Sequence, residues 1–348
     1  MSQPDPASVS LCLLPRLEGL GGPASFRGRL SAALTQRGWR VHQTPDDPTC
    51  AAILVIAGTR DLPALWRARR RGVRVVQRLD GMNWLHRKRF TGVRHFLRSE
   101  LNNALLAFIR HFLADAIVYQ SEFSRRWWEK VYGPVNKPAA VIYNAVDLQE
   151  YSPQGEERPP ADRWRALVVE GRLHRGNWLG LENALDLVRR LDGWQGKPAE
   201  LWVAGEVVEE LRRRADALLP GKVRWLGVVP RGNIPALDRS AQVLFSAELN
   251  PPCPNAVIEA LACGLPVAGY AEGALPELVG EDGGALAPWG SRVWRLEAPL
   301  SREELAEATR RLLGEGENAR RRARIRAERL FDLEIMTERY LHVLLGGG

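Results

Sequence analysis

The stretch NPPCPNAVIEALACG, residues 250–264, decides how the rest of the chain is read. Just before it, Val243 to Ser246 read as a buried strand: apolar, with Val and Phe, and followed by turn residues. Pro254 and Asn255 open a helix, because proline suits a first helical turn and asparagine caps one. The helix is expected over Ala256 to Cys263, stopping at Gly264 with Pro266 beyond. Nearly all its side chains are apolar, so it is expected to be buried on most faces. Glu259 is the exception. A carboxylate in apolar surroundings is costly unless something hydrogen-bonds it. A ligand with two neighbouring hydroxyls would do so; a Glu along one exposed strip of helix is the alternative. Leu265 to Tyr270 then read as a second strand, Glu272-Gly273-Ala274 as a loop, and Pro276 to Val279 as the start of another helix. Strand, loop and helix, twice in succession, point free helix N–H groups at one place and suit phosphate and sugar groups.

Outward from this stretch, the same alternation runs through the chain. Towards the N-terminus, Val9 to Leu14 read as a strand, Pro15 to Pro23 as a loop containing Gly19, Gly21 and Gly22, and Ala24 to Arg37 as a helix. The glycine spacing is not the dinucleotide fingerprint. Strands are expected at 52–57, 73–77, 116–119 and 140–143. Asp80 sits where the 73–77 strand ends, the side on which doubly wound sheets bind ligands, and a turn with Gly81 is its bland reading. The polar, proline-rich SPQGEERPPADR at 152–163 reads as an interdomain linker. Beyond it come strands at 165–170, 201–204 and 223–226, with helices between. Two parallel-sheet α/β domains follow. The expected bounds are 1–155 and 164–325, with a C-terminal helix at 326–348 packing back on the first domain.

At 348 residues the chain is too long for one ordinary core. A hydrophobic share of 45% with 26% charged residues is that of a globular chain. No apolar run is long enough to span a bilayer, and MSQPDPAS lacks the order of a signal peptide. The four cysteines show no metal-ligand spacing, so free thiols in a reducing cytoplasm are expected, and no metal site. A net charge of +8 suggests an anionic partner. No nucleic-acid stacking motif or zinc knuckle accompanies it, so no nucleic-acid partner is expected. Residues 85–112 mix basic with apolar side chains. This leaves peripheral association with an anionic membrane, on its inner face, open, although such segments are more often solvated surface helices, the reading favoured here.

Four blocks stand in order: YQSEFSRRWWEKVYG at 119–133, VIYNAVD at 141–147, VEGRL at 169–173 and PNAVIEALACGLPVAGYAEGALPELV at 254–279. Together they resemble the retaining glycosyltransferases of family 4, group 1 type. The resemblance spans most of the chain, and the last block is its most specific part. It implies the GT-B fold, two Rossmann-like parallel-sheet domains facing a central cleft. It also implies metal-independent transfer of a hexosyl group from a nucleotide sugar, UDP- or GDP-linked, to a hydroxyl of a glycan, lipid or small molecule, with no cofactor. Glu259 matches the second Glu of the family's E-x7-E motif, on the nucleotide ribose. Arg172 matches the cation on the donor diphosphate, Gly21 and Gly22 the first-domain loop near the phosphate, and Gly273 and Ala274 the second-domain loop near the donor. Asn255 joins the donor set, and Arg172 and Asp80 are the catalytic candidates.

Two departures stand out. Pro251 occupies the place of the motif's first Glu, which the resemblance assigns to the transferred sugar, and Glu248 or Asn250 are the candidates to replace it. The family's Lys after the Arg is missing, and Arg175 is the nearest cation. The alternative function is therefore a GT-B protein altered or inactive in catalysis, which binds a nucleotide sugar or a partner.

Overall fold

The computed structural model describes residues 8–16, 21–90 and 92–346. Part of the expected 15–23 loop, including Gly19, lies outside them. The chain divides into two compact units, Met1–Ala145 with Leu333–Gly348, and Val146–Asp332.

The first unit runs β1 (Ser10–Leu14), α1 (Gly22–Gln36), β2 (Arg40–His42), β3 (Cys50–Ile56), α2 (Leu62–Arg70), β4 (Arg74–Leu79), α3 (Val93–Phe108), β5 (Ala116–Tyr119), α4 (Glu122–Tyr132) and β6 (Ala139–Val141). Its six strands are parallel, in the order β2-β1-β3-β4-β5-β6. Local chemistry starts the helices where they start. Asp61 caps α2 by accepting the Ala64 N–H at 3.1 Å, and Ser121 caps α4 by accepting that of Ser124 at 3.0 Å. The strands are apolar runs rather than alternations because both sheet faces are covered by helices.

The second unit runs β7 (Trp164–Leu173), α5 (Trp178–Leu191), β8 (Ala199–Val207), α6 (Glu209–Leu218), β9 (Val223–Gly227), α7 (Ile234–Arg239), β10 (Val243–Phe245), α8 (Asn255–Ala262), β11 (Val267–Tyr270), α9 (Leu275–Val279), β12 (Gly284–Ala287), α10 (Glu303–Gly314) and α11 (Glu317–Leu330). Its parallel order is β12-β11-β10-β7-β8-β9. A last helix, α12 (Leu333–Leu345), belongs to the first unit. Its Met336, Tyr340, Leu341 and Leu344 are buried with Leu11, Phe26, Leu30 and Val76 in one core. Truncating such a leucine costs about 2–5 kcal/mol.

Several bounds differ from the sequence reading. The stretch 326–348 is not one helix: Arg326 to Leu330 finish α11 in the second unit. The 152–163 stretch is tied onto the second unit. Arg239 pairs with Glu157 at 2.8 Å, and the Gln242 side-chain amide donates to the carbonyls of Pro160 and Arg163. Asn255 is the first residue of α8 rather than its cap. Pro254 holds the cap position in extended backbone, without a side-chain cap bond. The short strands β2 and β12 carried too little pattern to be read in advance.

The strand orders fix where ligands belong. In each sheet the chain runs one way from its starting strand and then crosses to the other side. The reversal lies between β1 and β3 in the first unit, and between β7 and β10 in the second. Open α/β sheets bind ligands outside the carboxyl ends of the strands at such a reversal.

Candidate functional site

In the second unit, Glu170 in the last part of β7, and Glu248 and Glu272 in the loops after β10 and β11, stand towards the carboxyl ends of the strands. Glu170 lies within the register break between Val169 and Arg172. Such an irregularity re-aims side chains at the end of a strand. The neighbouring Gly205 approaches so closely that a Cβ there would overlap the Glu170 carbonyl. Asn250 is buried in left-handed backbone at φ 50°, and its N–H donates to the Glu272 carboxylate at 3.2 Å. The Ala274 N–H donates to the Pro251 carbonyl at 2.8 Å. Gly273, at φ 56°, lies against the same residue: a Cβ on it would sit 2.5 Å from the Pro251 nitrogen and oxygen. The loop at 272–274 is thus closed onto the loop at 250–251, bringing together Asn250, Pro251, Gly273 and Ala274. The first turn of α5 presses on this region too, because a Cβ at Gly180 would overlap the Ala247 carbonyl.

Burial pushes Glu170 up to about 8, helped by repulsion from Glu248. Burial also pushes Glu248 up to about 7. Glu272 is raised well above the carboxylate range by burial, with the Asn250 N–H pulling the other way. Near neutral pH Glu170 and Glu248 are therefore partly protonated and can donate as well as accept hydrogen bonds, which suits sugar hydroxyls. Sequence reading missed Glu170 and Glu272. The signal was their position near the carboxyl ends of apolar strands, Glu170 inside β7 and Glu272 two residues after β11.

A pH dependence follows. A carboxyl raised in the folded state binds its proton more tightly there than when unfolded. Stability therefore falls as pH rises from the unfolded value of 4.5 to the folded values of about 7 and about 8, then levels off. The double variant Glu170→Gln with Glu248→Gln is expected to show a shallower fall in melting temperature across that window. Parallel curves for parent and variant would show that the two carboxyls are not coupled to folding.

Arg172 ends the bulged part of β7, exposed, paired with Glu206 of β8 at 3.4 Å. Arg175 pairs with Glu210 at 2.6 Å. The turn between them is locked, since the His174 N–H donates to Asn177 and the Gly176 N–H donates to His174 Nδ1, both at 3.0 Å. Glu259 is buried in α8, as its apolar neighbours require. Nearby, the Asp238 carboxyl of α7 is raised well above its usual range by burial and then by Glu259, which favours its uncharged form.

In the first unit, Asp80 follows β4. Its carbonyl accepts from Trp128 Nε1 at 2.7 Å and from the Ser124 hydroxyl at 2.9 Å, which pins the backbone. Its carboxyl is raised by burial, while the Arg78 guanidinium, 3.7 Å away, pulls it back down. It lines a cavity of about 320 Å³ with Gly58, Thr59, Gly81, Asn83 and Asn102. Gly21 and Gly22 open α1, whose first turn contains proline and no acidic residue, and whose Gly21 makes no side-chain cap. This end of the helix keeps a positive dipole end.

Comparison with known proteins agrees with this layout. The model of the family described as glycosyl transferases group 1 matches residues 165–315, and that of glycosyltransferase family 4 matches residues 52–150. Glycosyltransferase models thus match part of each unit in order, which supports a group 1 glycosyltransferase, with family 4 consistent. No curated protein matches it by sequence. Among solved structures it is similar to a sucrose-phosphate synthase from Thermosynechococcus elongatus (17% identity, TM-score 0.69, covering 97% of this chain and 95% of that one). It is also similar to Anabaena HepE, determined with UDP and glucose (17%, TM-score 0.69, 97% and 100%). A third is WaaG, a glycosyltransferase of lipopolysaccharide biosynthesis (15%, TM-score 0.66, 97% and 100%). These likenesses, with two six-stranded parallel sheets, define the GT-B fold of two Rossmann-like domains.

Proposed function

We propose that this glycosyltransferase moves a sugar from a nucleoside diphosphate sugar to an acceptor hydroxyl, with retention and without a metal ion. The observation that carries the reading is the closure of the 272–274 loop on the 250–251 loop, beside the reversal between β7 and β10. A UDP- or GDP-linked sugar fits best, and the likeness to HepE with UDP and glucose supports a uridine donor. Glu259 would hold the ribose. Asn255, at the start of α8, would offer its N–H to phosphate. Arg172, aided by Arg175, would meet the charge that develops on the departing diphosphate. Gly21 and Gly22 would let the first unit's backbone approach the transferred group. Asp80, held by Trp128 and Ser124 beside its cavity, would engage the acceptor. With Pro251 in place of a carboxylate, we assign the sugar-reading contacts to Glu248 and Asn250.

Pro251 also motivates a second reading, a nucleotide-sugar binder with altered or lost catalysis. Calorimetry and a transfer assay with UDP- and GDP-sugars separate the two. The enzyme reading expects tighter binding of one nucleotide sugar than of its free nucleotide, with turnover. Equal binding of nucleotide and sugar nucleotide, with no turnover of any donor, would sink it. Asp80→Asn is expected to cut acceptor use by about 10²–10⁴-fold, the usual worth of a positioned acid or base, with donor affinity unchanged. A matching loss of donor affinity would move Asp80 out of the acceptor role.

A further inference from the structure

Helix α3 carries a line of apolar side chains on the side away from the core. Its inward face holds the buried Ser99, Asn103 and Ala107, with Leu105 and Leu106 half-buried against the core. Its outward face holds Val93, Leu97, Leu101 and Phe108, exposed at 67%, 55%, 70% and 44%. Their spacings of about one and two turns align them in a single stripe about 24 Å long. Two more exposed aromatics flank α3 in the chain. Phe90 is 91% exposed, and Phe112, 64% exposed, lies 5.1 Å from the Phe108 ring between centroids. Monomeric proteins rarely display so long an apolar run, and such patches mark interaction surfaces.

Charge names the partner. Lys88, Arg94 and Arg98 are exposed beside the stripe. None of the three forms an ion pair among the described residues. The only acidic residue in 84–112 is Glu100. It is already held by Arg87 and His86, both at 2.6 Å. An apolar stripe flanked by unpaired cations is the surface of a helix that lies in a lipid interface. A second copy of the chain is a poor occupant, because two-fold pairing would set these cations against themselves.

We propose that the α3 face docks the first unit on an anionic lipid bilayer, with the stripe sunk among the acyl chains and the cations at the headgroups. The other side of the same helix lines the Asp80 cavity through Asn102, Leu105 and Leu106. Docking therefore holds that cavity about one helix diameter, ~10 Å, from the bilayer, within reach of an acceptor hydroxyl carried by a lipid. This inference does not rest on the donor chemistry proposed above.

Flotation of the full chain with phosphatidylcholine vesicles, with and without phosphatidylglycerol, tests it. Binding is expected only to the anionic vesicles and is expected to weaken with salt. Arg94→Ala with Arg98→Ala should lower partitioning by roughly thirtyfold, from the usual worth of a cation near such a surface. Leu97→Ser with Leu101→Ser should abolish it. Ile325→Ser, at an exposed position on α11, should leave it unchanged. Circular dichroism and melting temperature should not move, because every altered side chain is exposed. Failure to bind anionic vesicles overturns the proposal. So does equal loss in the Ile325 variant. Light scattering that shows a dimer, split by the leucine substitutions, overturns it in favour of self-association.

Discussion

Arg172→Ala is expected to lower kcat/KM by about 10²–10³-fold while the fold persists, the usual cost of removing one preorganised donor from developing charge. The fold should persist because the side chain is exposed, and its pair with Glu206 is one of exposed charges, worth about 0–1 kcal/mol. That pair also makes a second measurement informative. A bound diphosphate has to draw Arg172 from Glu206, so Glu206→Gln should leave donor affinity equal or slightly higher. Steady-state kinetics with a nucleotide sugar, alongside thermal melting, decide the matter. Unchanged kcat/KM in Arg172→Ala would remove this residue from the chemistry. Arg175 is the natural comparison. It has its own partner in Glu210 and sits beyond the locked turn, so Arg175→Ala should cost less.

The alternation of apolar runs with helix-length segments made both sheets legible, because strands covered on both faces must be apolar throughout. Motif spacing likewise placed Glu259, Gly273 and Ala274, since glycine after a strand and a lone acid in an apolar helix are local signals. Three things were not legible. Glu170 and Glu272 look like ordinary surface acids in the sequence. Only the sheet order sets them beside Glu248, and that order comes from crossovers that no local pattern encodes. The ties of the 152–163 stretch to Arg239 and Gln242 link residues about 80 positions apart, which composition cannot show. The outward face of α3 is the third. An amphipathic pattern says that a helix has two faces, but not which one points outward, and here apolar side chains stand on both: Leu105 and Leu106 against the core, Leu97 and Leu101 exposed.

Gly273→Ala is expected to weaken donor binding by tenfold or more, although it adds a single methyl group. Two effects combine at this position. The backbone is left-handed at φ 56°, which costs a residue with a Cβ about 1–2 kcal/mol. The added carbon would also meet the Pro251 nitrogen and oxygen at 2.5 Å, and backbone has no rotamer with which to step aside. The 250–251 and 272–274 loops must therefore part. The Ala274 N–H to Pro251 carbonyl bond would break, and with it the approach of Asn250 to Glu272. About 1.4 kcal/mol of lost site organisation already amounts to a tenfold loss in affinity. Gly21→Ala provides the contrast. Gly21 lies at φ −71°, and the nearest atom to an added Cβ is Pro23 Cδ at 3.9 Å, so the first unit should tolerate alanine there. If Gly21→Ala keeps its melting temperature but loses turnover, the added methyl is touching a ligand and not the protein. Calorimetric titration of both variants with the same nucleotide sugar separates the two cases. Normal affinity in Gly273→Ala would mean that the closed loops are scaffold and that the donor is held elsewhere in the second unit.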